Sequence, residues 1–190
     1  MNSESAEKGS ADGSLAMILF LAGEAMLFVT LIGAFLVFRF GAPHWPTDGQ
    51  PRLSVLWPGV LTGLALLSVV SLSRGIGTLS VTQRQPSVTW LSVTLLFGAI
   101  FLAGLPGPLQ TLSVFSEGNA TGPYGFSIYA PTEVHRIHGL IGLAWLGVIV
   151  VRAFRNEPIP SLNYETRIFQ YYWRFVVGVW LVLYGLMYVV

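Results

Sequence analysis

Long apolar runs alternate with short polar joints along this chain. Five of the runs reach the roughly 20 residues that a helix rising about 1.5 Å per residue needs to cross a hydrocarbon layer of about 30 Å. They predict membrane spans at about 15–40, 55–79, 88–105, 132–151 and 168–190. The first, Leu15–Phe40, has Arg39 near its outer end and a single acid, Glu24. The second opens at Trp57 and Pro58, where proline suits a first helical turn. The third is stopped by Pro106 and Pro108, and the fourth ends at Arg152. Because the runs are continuous and do not alternate, a membrane β-barrel is excluded. The expected fold class is all-α: an integral membrane bundle of five transmembrane helices. A polar segment at 1–14 precedes a single membrane domain at 15–190.

Composition agrees with the pattern. Of the 190 residues, 53% are hydrophobic and 10% are charged, against about a quarter charged in soluble domains. A net charge of +1 offers no basic surface for nucleic acid. There is no cysteine, so disulfides, thiolate metal sites and iron–sulfur clusters are excluded. Residues Met1 to Ser14 lack the basic region of a signal peptide, and the apolar run after them is too long for one.

Loop charge sets the expected orientation. Lys8, Arg74, Arg84, Arg152, Arg155 and Arg167 fall on one side, Arg39 and Arg52 on the other. Excess Lys and Arg marks the cytoplasmic face, so the N-terminus is expected inside and the C-terminus outside. Asn119-Ala-Thr121 fits a glycosylation sequon. Gly59 and Gly63 form a GxxxG pair, expected to serve packing within the bundle, with a homodimer seam as the alternative.

Six ionisable groups lie well inside the spans: Glu24, Glu133, His135, Arg136, His138 and Arg174. Counting from the same face, Glu24 is about 13 Å deep and Arg174 about 9 Å. Similar depths make them candidate partners, since a paired acid and base in low dielectric costs less than either alone. The alternative for Arg174 is snorkelling or a water; Glu24 is too short to snorkel. His135 and His138, three apart, share a helix face. A metal site wants more ligands than Glu133 adds, and His44, the remaining histidine, sits in an outer loop. Hydrogen-bonded packing at a helix interface is therefore the expected role of the two histidines. Arg136 is expected to snorkel. Tyr171, Tyr172, Trp173 and Trp180 read as aromatic belt and packing. No nucleophile-plus-base set and no phosphate loop is present, so the chain is expected to be non-catalytic on its own.

The same residues carry a resemblance. Gly23-Glu24 through Phe28 and Ala34 to Arg39, then Leu109-Gln110, then Val134-His135-Arg136-Ile137-His138 running to Gly142, then Tyr172-Trp173-Arg174-Phe175-Val176-Val177 before Val179-Trp180-Leu181, stand in that order. The set resembles subunit III of the haem–copper oxidases, in its five-helix form, from about Ser14 to the end. The loop from Ala42 to Pro46 and from Gln50 to Leu53 is similar to bacterial members. Three positions depart from the family pattern: Arg136 replaces a glycine, Arg174 a histidine and Val177 an aspartate.

The resemblance implies an accessory subunit of a respiratory terminal oxidase in a bacterial cytoplasmic membrane. Such a subunit holds no cofactor of its own. It packs against catalytic subunit I and other oxidase subunits, which carry the haem and copper, and it binds phospholipid and supports proton uptake. Glu24, Gln110, His135, His138, Tyr172, Trp173 and Arg174 are the expected buried polar or structural residues, with Glu24 bonded to Arg174 or to His138. Alternatives are an accessory protein of a nitric oxide reductase, a small multispan transporter, or a membrane cytochrome b. A transporter would show an internal repeat or broken helices, and neither is seen.

Overall fold

The computed structural model describes residues 3–44, 55–80, 84–105 and 123–189. These form five helices: α1 (Ser3–Gly41), α2 (Leu56–Ser80), α3 (Arg84–Gly104), α4 (Pro123–Phe154) and α5 (Ile159–Tyr184). A short π-helical segment, Gly185–Val189, follows α5. All five helices are long and apolar enough to cross a membrane. Gln110 and the Asn119 sequon lie outside the described residues.

The helices outrun the apolar runs. α4 begins at Pro123, before the expected Thr132, and α5 begins at Ile159, before Ile168. Polar residues at these ends satisfy their groups locally. Thr132 donates to the carbonyl of Ile128 at 2.9 Å, Thr166 to that of Leu162 at 2.6 Å, and Ser161 to that of Pro158 at 2.8 Å. Pro131 lies inside α4, which a membrane helix tolerates when neighbours cover the freed carbonyl.

A tight turn joins α4 to α5. Asn156 adopts the left-handed conformation, φ 59°. Its N–H reaches the carbonyl of Ala153 at 3.3 Å, and the N–H of Glu157 reaches that of Arg152 at 3.3 Å, which together make a Schellman cap. Pro158 and Pro160 then start α5. Arg152 grips both ends of the turn, donating to the carboxylates of Glu157 and Glu165, while Arg84 of α3 donates to the carbonyls of Ala153 and Glu157. The hydrogen bond from Arg152 holds the Glu157 carboxyl below the usual carboxylate range. A depressed folded value means that this clamp adds stability above the unfolded carboxyl pKa, about 4.3, and loses it as pH falls through the lower folded value. Amide exchange across residues 155–158 is expected to speed up selectively on acidification below pH ~4. Exchange that stays flat there would show that the clamp does not hold the turn.

α2, α3, α4 and α5 share one core, and α5 supplies its centre. Trp173 and Trp180, two turns apart, are fully buried. Each indole N–H finds a hydroxyl on α2: Trp173 donates to Ser68 at 2.9 Å and Trp180 to Thr62 at 2.9 Å. Each hydroxyl gives its own proton to a carbonyl of its helix, Ser68 to Ala65 and Thr62 to Pro58, so a lone pair remains for the indole. Both tryptophans are thus core residues: of the belt and packing expected from the sequence, they serve the packing. Room for Trp173 comes from missing side chains on α3 and α4. A Cβ on Gly98 would lie 2.9 Å from its ring, as would one on Gly142.

The GxxxG pair is not where the helices approach closely. A Cβ at Gly63 would meet nothing within 4 Å, and one at Gly59 would meet only the Tyr184 phenol. Gly98, Gly139 and Gly142 do that work instead.

α1 leans on α4 and α5 and leaves most of its surface exposed. Its inward stripe is Met17, Leu21, Glu24, Phe28 and Phe35, spaced by three, four or seven residues. Phe28 and Phe35 are its buried side chains among the described residues.

Candidate functional site

The one acid on the inward stripe of α1 meets α4. Glu24 Oε2 lies 2.8 Å from His138 Nε2, and both side chains are mostly buried. The other ring nitrogen, Nδ1, lies 2.8 Å from the carbonyl of Val134. A carbonyl can only accept, so Nδ1 carries a proton. One further proton then lies between Nε2 and Oε2. Either a neutral carboxyl donates to the ring, or an imidazolium donates to a carboxylate. In both forms the pair is neutral as a unit, which is the low-cost state for such groups in an apolar layer. The site is therefore a two-position proton holder.

α5 closes the site. The Tyr172 phenol donates to the carbonyl of His138 at 2.8 Å, which fixes the turn of α4 that carries the imidazole. The Phe28 ring stands edge-on to His138 at 5.2 Å and to Phe175 of α5 at 6.1 Å. Apolar rings thus flank the pair. Glu24, His138 and Tyr172 come together from three helices.

Arg174 does not join them. Its Nη2 is 3.3 Å from Ser73 Oγ on α2, and the side chain is exposed. Depth was a poor guide because azimuth decides contact. Phe175 faces α1, and a helix turns about 100° per residue, so Arg174 points toward α2 instead.

His135 lies one turn before His138 but in a different setting. It is fully buried, and neither ring nitrogen has a hydrogen-bond partner among the described residues. It stacks on Trp180 at 5.5 Å, with Phe28 and Phe101 edge-on at 6.4 and 6.1 Å. The expected hydrogen-bonded role therefore fits His138 alone, and His135 is aromatic packing. Arg136 is buried and folds back onto Glu133 at 2.7 Å, so it does not snorkel. Glu24 and Glu133 therefore each have a base close by, while His44 lies exposed past the end of α1. No group of three or more His, Cys, Asp or Glu side chains gathers into a possible metal site among the described residues.

Two features escaped the sequence reading. Phe28 shields the pair; it stood in the first-span motif without a role, and its place four residues after Glu24 on the inward stripe was the sign of one. The α2 hydroxyls accept the indoles, and Ser and Thr recurring inside an apolar run was the available sign.

The family described as cytochrome c oxidase subunit III matches residues 6–190. Cytochrome c oxidase subunit 3 of Synechocystis is 29% identical over 90% of this chain and 73% of its own length. The protein of the same name from Corynebacterium diphtheriae is 28% identical over 88% of this chain and 83% of its own. That of Alkalihalophilus pseudofirmus is 25% identical over 96% and 90%. With nearly the whole chain covered, and with five apolar helices built around Glu24 and His138, the chain belongs to the cytochrome c oxidase subunit III family.

Proposed function

We propose that this chain is the redox-inert subunit III of a respiratory haem–copper terminal oxidase in a bacterial cytoplasmic membrane. The observation that carries this reading is the family match over residues 6–190. The relatives described above are named as cytochrome c oxidase subunits, which favours an oxidase partner over a nitric oxide reductase. Haem and copper belong to the catalytic subunit against which the chain packs, and phospholipid fills grooves on its outer faces. The loop charges orient it with the N-terminus in the cytoplasm and the C-terminus outside.

The Glu24–His138 pair supports proton uptake in this reading. It holds one proton at constant net charge, and the Val134 and Tyr172 bonds fix its geometry. Handing on that proton leaves a carboxylate facing the Nε2 lone pair, so the pair must take up another proton to return to neutrality.

Affinity purification of the tagged chain in mild detergent tests the proposal. The expected result is a companion subunit bearing haem and copper, in fixed ratio to the tagged chain. A chain that isolates alone, or that binds stoichiometric haem by itself, overturns it.

A further inference from the structure

We propose that Phe28 is a positioning residue for the proton: its ring confines the shared proton to Glu24 and His138 by keeping water, and with it His135, out of the pair. This rests on the reading that the pair supports proton uptake in an oxidase subunit.

His135 is the group that needs an explanation. A neutral imidazole has one N–H and one lone pair, and here both are idle among the described residues. Idle polar atoms in a fully buried ring are costly, and a hydrocarbon ring could stack on Trp180 without that cost. The rings that face His135 are Phe28 from α1, Phe101 from α3 and Trp180 from α5. Trp180 gives its indole proton to Thr62 of α2, and Arg136, the next residue of α4, is turned to Glu133. The base on the same face of α4 is His138, one turn away. His135 is thus an unused proton acceptor set beside a used one.

Phe28 packs against both imidazoles. It stands edge-on to His138 at 5.2 Å and to His135 at 6.4 Å, and Phe175 of α5 backs it at 6.1 Å. Its side chain is buried. A proton passes between groups about 2.6–3.2 Å apart, or through one water. Both nitrogens of His138 are engaged, Nδ1 with Val134 and Nε2 with Glu24. Neither is bonded to His135, and a hydrocarbon ring offers no bridge.

Removing the ring changes the chemistry of the gap. The space left would be bordered by the idle nitrogens of His135 and by the Glu24–His138 pair. A cavity with several polar partners takes up water, whereas an apolar one stays dry. Water would join His135 to the pair and add a second base to the unit. The proton would then be held more tightly and released more slowly. Phe28 therefore sets how many bases share the proton, and with it the pH range over which the pair reloads.

The test is oxygen uptake per haem against pH, measured on the intact purified complex. A hydrogen bond gained by the protonated unit corresponds to about one pH unit. Phe28→Ala should move the alkaline limb of the profile up by about that much and lower its maximum. Phe28→Leu, which refills the gap with hydrocarbon, should match the parent. Adding His135→Gln to Phe28→Ala should restore the parent limb, because the amide keeps the bulk and hydrogen bonding but takes no proton. His135→Gln alone should leave the profile in place. Phe28→Thr repeats the test if Phe28→Ala loses its haem-bearing companion. An unmoved limb in an assembled Phe28→Ala or Phe28→Thr complex overturns the proposal. So does a downward shift that His135→Gln does not reverse, since water alone would then act on the carboxylate. A shift in His135→Gln alone also overturns it, because His135 would already share the proton. Failure of the oxidase reading is seen separately, as a purified parent chain with no haem-bearing companion.

Discussion

Replacing Glu24 with alanine is expected to reduce the amount of haem-bearing partner recovered with the tagged chain, while leaving the absorbance spectrum of that partner unchanged. The substitution strands His138 Nε2, which now sits 2.8 Å from the carboxylate, in a mostly buried position. A buried polar group left without its partner costs about 1–3 kcal/mol. Since α1 touches the rest of the bundle through α4 and α5, that cost falls on the seating of α1. Glu24→Gln separates structure from chemistry. Its amide can donate to Nε2 while Nδ1 stays on Val134, so assembly should match the parent. It holds no transferable proton, however, so oxygen consumption should fall, and fall further as pH rises and protons become scarce. Haem per tagged chain and oxygen uptake against pH read the two effects. Normal assembly and normal turnover in both variants would remove Glu24 from the account.

Gly142→Ala should be strongly destabilising, because the added methyl meets aromatic rings and not the ends of flexible leucines. The added carbon would lie 2.9 and 3.0 Å from two atoms of the Trp173 ring and 3.1 Å from Tyr172. The indole cannot retreat, because Gly98 borders its other side and its N–H is bonded to Ser68. Overpacking of this kind costs about 1–3 kcal/mol, and Gly142→Val should exceed it. Gly63→Ala is the control, since nothing lies within 4 Å of the new carbon. Thermal unfolding in detergent compares them. A melting temperature unchanged by Gly142→Ala would mean that the ring is free to shift.

The span count was legible because a helix that must cross an apolar layer cannot hide its composition. The ends were less so. α5 starts at Ile159 because a Schellman cap and two prolines set it there, and those signals lie in polar residues that a hydropathy window averages away. Within the site, the residues were legible and their pairing was not. Glu24 stood out as the single acid of the first span, and its partner could have been Arg174 or His138. Which one it met depended on the rotation of α5 and α4 about their axes. That rotation is set by Trp173 fitting against Gly98 and Gly142, a contact among three helices far apart in sequence. His135 and His138 looked equivalent for the same reason, and the structure gives them opposite surroundings.

The position of α1 has a consequence for how the protein is made. α1 is made before both helices it packs on, α4 and α5, and Glu24 must wait 114 residues for His138. At a synthesis rate of about 5–20 residues per second, that is a delay of about 6–23 s. During this interval a helix with a lone carboxyl must be kept in the bilayer by something other than its eventual neighbours. An unpartnered carboxyl in the bilayer is the costly state, so chains truncated before α4 are expected to be cleared by membrane proteases.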